Sequence, residues 1–166
     1  MSALRSTHAT AVVLAAGQGK RMRVNKPKVL TKVLGQEMLT YILDSLKGAG
    51  IDRPIVVVGY EGQQVIDLVQ DNAVIAWQKE QLGTGHAVQM ALPQLARIQG
   101  HIIVTNGDVP LISSEFFRSL TEERERTGAS AVVATMILEK PKAYGRIKRD
   151  NEGNIIEIVE MRDCSP

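Results

Sequence analysis

Residues 10–16, Thr-Ala-Val-Val-Leu-Ala-Ala, carry no charge and run straight into Gly17. An apolar stretch with no polar alternation reads as a strand covered on both faces, and that requirement rules out most folds. Two further runs repeat it, residues 54–59 with Ile-Val-Val-Val at the centre and residues 73–77. Between them lie stretches with helical periodicity. Met38, Leu39, Ile42, Leu43 and Leu46 share one face of residues 37–48, and Val65, Ile66 and Val69 one face of residues 61–71. Gly48 and Gly50 stop the first helix. Strand, helix, strand, helix, strand predicts an α/β chain with a parallel sheet and helices on its faces. In such sheets ligands sit beyond the carboxyl ends of the strands.

Three loops leave strands at that edge. Residues 14–28 follow the first strand and read Leu-Ala-Ala-Gly-Gln-Gly-Lys-Arg-Met-Arg-Val-Asn-Lys-Pro-Lys. Gly17 and Gly19 let the backbone turn sharply and approach a ligand. Residues 20–32 hold six basic side chains and no acid, which leaves the rest of a chain of net charge +2 at −4. Backbone N–H groups followed by fixed cations suit a polyphosphate. The P-loop pattern is absent, since Lys20 is followed by Arg21. The dinucleotide pattern fails at Met22, which stands where its third glycine belongs. A basic surface loop with turn glycines is the other reading.

Residues 78–86, Gln-Lys-Glu-Gln-Leu-Gly-Thr-Gly-His, leave the third strand. The Gln78 amide offers a donor and an acceptor, as a base edge requires. Gly83, Thr84 and Gly85 allow a backbone to approach a planar ring and then start a helix that Pro93 kinks or ends. Read in isolation, the segment slightly favours a plain loop with an N-cap threonine, His86 being only a helix-start residue. A fourth strand, residues 101–105, delivers Asn-Gly-Asp-Val-Pro-Leu. Asp108 at a buried strand's carboxyl end reads as a ligand for Mg²⁺, which is often held by one or two carboxylates plus substrate phosphates. In the other reading Asp108 caps a turn.

Ser113 and Ser114 can cap a helix over residues 115–127 with Phe116, Phe117 and Leu120 inward. Residues 129–138 read as a long β-branched strand, and residues 150–154 as a hairpin turn around Gly153 before a last strand ending at Glu160. The 166 residues fit one domain. Cys164, the only cysteine, excludes an internal disulfide and fits a reduced cytoplasm. No window has signal-peptide or membrane-spanning character. The basic stretch has no aromatic residue for base stacking, which argues against a nucleic-acid partner.

Together these segments resemble the sugar-1-phosphate nucleotidyltransferases. Leu-Ala-Ala-Gly-x-Gly-x-Arg-Met…Pro-Lys is the wider family's signature. Gln-Leu-Gly-Thr-Gly-His-Ala with Gly-Asp-Val-Pro-Leu is similar to the uridylyltransferase domain of bacterial bifunctional N-acetylglucosamine-1-phosphate uridylyltransferases/glucosamine-1-phosphate acetyltransferases. The resemblance implies a Rossmann-like nucleotidyltransferase fold, a three-layer αβα sandwich with a mostly parallel central sheet. It implies Mg²⁺-dependent transfer of UMP from UTP to N-acetylglucosamine 1-phosphate in the cytoplasm. Leu14, Ala15, Ala16 and Gly17 would contact the nucleoside and phosphates. Arg21 and Lys28 would hold the triphosphate and offset charge on the leaving pyrophosphate. Gln78, Gly83 and Thr84 would read uracil, and Gly107 would leave room for ligand beside Asp108, the metal ligand. Gly145 and Glu160 would hold the N-acetylglucosamine moiety.

Lys20 stands where the family usually has threonine, and Asn106 where many members have tyrosine. The family's domain also runs on beyond residue 166 to a second metal ligand, so residues 1–166 are expected to be one nucleotidyltransferase domain cut short at its C-terminal end. A homo-oligomer is the expected assembly, a trimer if the acetyltransferase repeats, which lie outside residues 1–166, are present. A non-catalytic nucleotide-binding or assembly module, and an enzyme for another sugar phosphate, are the alternatives.

Overall fold

The computed structural model describes residues 9–17, 19, 26–96, 98–142 and 144–160. They form two compact units, Met1–Val132 and Val133–Pro166.

The first unit is built on four parallel strands, β1 (Ala9–Leu14), β4 (Ile55–Val58), β5 (Val74–Trp77) and β6 (His101–Asn106), in the order β5-β4-β1-β6. Between β1 and β4 come a small antiparallel pair, β2 (Lys32–Val33) and β3 (Gln36–Glu37), and the helix α1 (Met38–Gly48). Helix α2 (Gly62–Val69) links β4 to β5, and α3 (Thr84–Met90) with α4 (Leu92–Leu95) links β5 to β6. Helix α5 (Ser114–Thr127) follows β6.

Strand side chains alternate between two cores. Ala11 and Val13 of β1 and Val56 and Val58 of β4 pack with Leu39, Ile42 and Leu46 of α1, Val65 and Val69 of α2 and Phe117 of α5. Val12, Ile55, Val57 and Ala76 face the other way, onto Ala87, Ala91 and Leu95. Two buried faces explain why β1 and β4 carry no polar alternation. The three-layer αβα architecture with a parallel central sheet is the expected one. Leu46 is fully buried. Leu46→Ala therefore lowers the unfolding free energy by about 2–5 kcal/mol, measurable by urea denaturation.

Ser113 is the N-cap of α5, its Oγ accepting from the Phe116 N–H at 3.3 Å, and Gly128 ends the helix at φ +65°. Phe117 is buried, whereas Phe116 is 41% exposed and does not face inward as its spacing suggested.

Residues 129–138 differ from the expected strand. They form no ladder, and Val133, Met136, Ile137 and Leu138 are exposed. β-branched residues favour extended backbone, but a strand also needs a neighbour to take its N–H and C=O groups. In the second unit, β7 (Arg146–Arg149) and β8 (Ile155–Val159) do pair, as an antiparallel hairpin. The Asp150 carboxylate closes its turn by accepting from the backbone N–H groups of Glu152 and Asn154 at 2.9 and 2.8 Å, and Gly153 sits at φ +88° as its place in the turn requires.

Among the described residues no helix is long and apolar enough to cross a membrane.

Candidate active site

From β1 the chain steps outward to β4 and β5, then returns to place β6 on the other side of β1. The strand order reverses between β1 and β6, and the crevice beyond their carboxyl ends is where such sheets take ligands. The Leu14 carbonyl accepts from the Gly107 N–H at 2.9 Å, holding the two strand ends together. A Cβ on Gly107 would lie 3.0 Å from Val29 Cγ1 and 3.2 Å from the Leu14 oxygen. The absence of a side chain there lets β6 end against β1 and fixes the stem from which Asp108 projects.

Lys28 reaches Asp108 across this crevice, Nζ donating to Oδ2 at 2.5 Å although 80 residues separate them in sequence. Lys28 opens a short 3₁₀ turn, Lys28–Leu30, directly after Pro27. Its backbone N–H points at the Gly17 carbonyl, 3.4 Å away. Gly19 sits at φ +61°, a left-handed conformation that suits glycine, and a Cβ there would lie 3.1 Å from Lys28 Cβ. Gly17 differs from expectation. It is exposed, its φ is ordinary, and a Cβ would meet nothing within 4 Å. Gly19 alone needs the glycine conformation.

Other cations of the basic stretch are engaged locally. Lys26 Nζ donates to the Leu30 carbonyl at 3.3 Å, and Lys32 pairs with Glu37 at 3.3 Å. The Glu37 carboxyl is held below its usual pKa by its own backbone N–H first and by Lys32 after that. Arg21 lies outside the described residues.

The second loop folds onto the first. Ala15 and Ala16 are buried as whole residues, and the Ala15 N–H donates to the Val57 carbonyl at 2.9 Å. The Ala16 carbonyl is taken by Gln81 Nε2 at 2.7 Å. Gln78 is buried at 4% exposure, and its backbone N–H donates to the Val58 carbonyl at 2.8 Å. Its side-chain amide is 3.0 Å from the Gly83 carbonyl and 3.0 Å from His86 Nδ1. Gly83 adopts φ +105° and precedes Thr84, the first residue of α3; no side chain caps that helix, so Thr84 is not an N-cap.

Gly59 and Gln81 also shape the site, and sequence reasoning passed over both. A Cβ on Gly59 would lie 2.9 Å from Ala16 Cβ, 3.1 Å from the Ala16 oxygen and 3.2 Å from the Gln78 oxygen. Gly59 is what allows the loops after β1 and β5 to close over the end of β4. Its signal was available: a glycine immediately after a buried strand, at the ligand edge. Gly59→Ala must push rigid neighbours apart and lowers stability by about 1–3 kcal/mol. Gly17→Ala, with open space around it, stays within about 0.5 kcal/mol of the parent. Paired thermal melts of the two variants separate these outcomes.

Gly145 and Glu160 belong to the second unit. A Cβ on Gly145 would lie 3.3 Å from Ile158 Cγ2, so this glycine lets the chain pass close to β8. Glu160 follows the end of β8. The structure thus gathers Leu14, Ala15, Ala16, Gly17, Lys28, Gln78, Gly83, Thr84, Gly107 and Asp108 at the carboxyl edge of one sheet.

Among the described residues no three His, Cys, Asp or Glu side chains converge as a metal cage. Asp108, a hard oxygen donor at the crevice, fits a divalent cation that arrives on substrate phosphates and completes its shell with them. An anion whose charge is spread over several oxygens would meet Lys28 at the same place.

The MobA-like NTP transferase domain family matches residues 11–143. The chain is 47% identical over 155 residues to a bifunctional protein GlmU of Heliobacterium modesticaldum, covering 93% of this chain and 34% of that protein. Relatives of the same name from Staphylococcus saprophyticus and Synechococcus elongatus are 43% and 44% identical, again over 93% of this chain and 34% of theirs. The chain thus spans about a third of the length of these relatives. A solved structure of a putative glucose-1-phosphate thymidylyltransferase from Bacillus anthracis superposes with a TM-score of 0.78 at 21% identity, over 92% of this chain and 64% of that one. That likeness is one of fold.

Proposed function

This chain belongs to the MobA-like NTP transferase domain family, and on that premise we propose that it transfers UMP from UTP to N-acetylglucosamine 1-phosphate, releasing pyrophosphate. The observation that carries the reading is the Lys28–Asp108 pair, a cation and a carboxylate facing each other across the strand-order reversal. The Gln78–His86 loop lies at the same sheet edge and supplies a candidate base reader. The bifunctional relatives favour a uridylyl donor and the N-acetylglucosamine acceptor.

In this reading an oxygen of the sugar phosphate attacks the α-phosphorus of UTP in line, and the bond to the pyrophosphate oxygen breaks. Little covalent work falls to the protein, so its contribution is positioning and charge stabilisation. Lys28 leaves Asp108 for the triphosphate and offsets charge on the departing pyrophosphate, with Arg21 as its partner in that role. The backbones of Leu14, Ala15, Ala16 and Gly17 bring the phosphates close to the end of β1, and Gly107 leaves them room. Asp108 holds Mg²⁺, which when bound neutralises phosphate charge. Gln78, Gly83 and Thr84 read uracil, and Gly145 and Glu160 bind the sugar. Water-soluble substrates and a single cysteine support a cytoplasmic setting.

Pyrophosphate release from UTP, N-acetylglucosamine 1-phosphate and Mg²⁺ tests the reading. Turnover that needs all three supports it. UTP binding by the folded chain without turnover instead assigns a nucleotide-binding module. Turnover with a different sugar phosphate in place of N-acetylglucosamine 1-phosphate replaces the acceptor.

A further inference from the structure

The Gln78 side chain has only one way round. Its Nε2 is 3.0 Å from the Gly83 carbonyl oxygen, which can only accept, so the NH₂ end must face it. The same nitrogen is 3.0 Å from His86 Nδ1. The second amide hydrogen therefore goes to that ring nitrogen, which must carry a lone pair. The ring proton of His86 is then on Nε2. With both amide hydrogens spent inside the loop, Gln78 has only Oε1, an acceptor, to offer a ligand.

We propose that His86 is a specificity-positioning residue: by accepting from Gln78 Nε2 it turns Oε1 toward the bound base and selects a pyrimidine whose N3 carries a hydrogen. The inference rests on the uridylyl reading above and deepens it. Uracil presents N3–H, a donor, and satisfies Oε1. Cytosine presents a bare N3, and two acceptors then face each other. A site with a buried polar group rejects a ligand that leaves it unpaired more strongly than one that merely fits loosely. Rotating the amide by half a turn would bring Oε1 against the Gly83 oxygen and would force the His86 ring proton onto Nδ1, so the Gly83 carbonyl and the Nε2–H form of His86 together hold the preference. Gln78 is buried and its backbone is tied to Val58, so the side chain cannot swing clear to avoid the choice.

The test measures dissociation constants of Mg²⁺·UTP, Mg²⁺·CTP and Mg²⁺·tripolyphosphate for the parent chain, His86→Leu and His86→Asn. His86→Leu removes one of the two acceptors and should lower the UTP-over-CTP preference about tenfold, the worth of one hydrogen bond of this kind. Tripolyphosphate binding should not change, because it uses the glycine loop and Lys28. His86→Asn can place its side-chain oxygen near the lost Nδ1 and should restore most of the preference. An unchanged ratio in His86→Leu overturns the role of His86. So does an equal loss of UTP and tripolyphosphate, which marks a general disturbance of the loop. A parent chain that binds tripolyphosphate without preferring UTP to CTP overturns the uracil reading instead. Long-range ¹H–¹⁵N spectra of the unaltered protein give an independent check that needs no variant: the His86 ring proton should be on Nε2, and a proton on Nδ1 contradicts the inference.

Discussion

Asp108→Asn abolishes the Mg²⁺-dependent part of UTP binding and lowers pyrophosphate release by about a hundredfold or more. The substitution keeps the size and shape of the side chain and removes only its charge. A neutral amide oxygen is a poor ligand for a hard divalent cation, and the described residues supply no cluster of carboxylates to replace it. The fold should not notice. The Lys28–Asp108 pair is 45% and 25% exposed at its two side chains, and an ion pair this open contributes about 0–1 kcal/mol. Calorimetric titration of UTP with and without Mg²⁺, beside a thermal melt, separates the two effects. A large drop in melting temperature would mean that Asp108 is a structural residue. Unchanged cation dependence would remove the metal from it.

Lys28→Met weakens UTP binding about tenfold to a hundredfold, the range for a charge-assisted hydrogen bond to an anion. Uridine binding, which involves no phosphate, changes little. The asymmetry follows from where Lys28 sits, against the glycine turn and 80 residues in sequence from the carboxylate it meets, and not near Gln78 in the chain. Competition titrations with UTP, UMP and uridine read it directly. Equal losses for all three would mean that methionine has collapsed the crevice and would not support a phosphate role.

The architecture could be read from the chain because its buried strands advertise themselves. Val12 and Val13 point to opposite faces of β1 and both are fully buried, so the stretch has nowhere to put a charge. Asp108 and the glycine loop could be placed at one edge from topology alone, since every strand of a parallel sheet ends on the same side. Pairings between distant residues could not. Nothing in the letters says that Gln81 closes onto the Ala16 carbonyl 65 residues away. Nor do they say that Gln78 and His86, eight apart, meet across a loop that turns at Gly83 with φ +105°. Residues 129–138 show the converse. Local composition favours extended chain there, but pairing is a property of two segments, and Ile137 is left fully exposed. Gly17 and Gly19 both read as turn residues because glycine permits any φ, but Gly19 is the one that uses the freedom.

The central claim is that the glycine turn, the glutamine loop and the acidic tip line one cleft for a cation-bound triphosphate. Titrating Mn²⁺·UTP into ¹⁵N-labelled protein tests this directly, because the paramagnetic ion broadens nearby amide signals. Amides of Gly17, Lys28, Gly83 and Asp108 should fade together, while those of Gly50, Asp52 and Asn72, which precede β4 and β5 at the opposite edge of the sheet, stay sharp. Fading centred on that opposite edge, or an unchanged pattern in Asp108→Asn, would contradict the account.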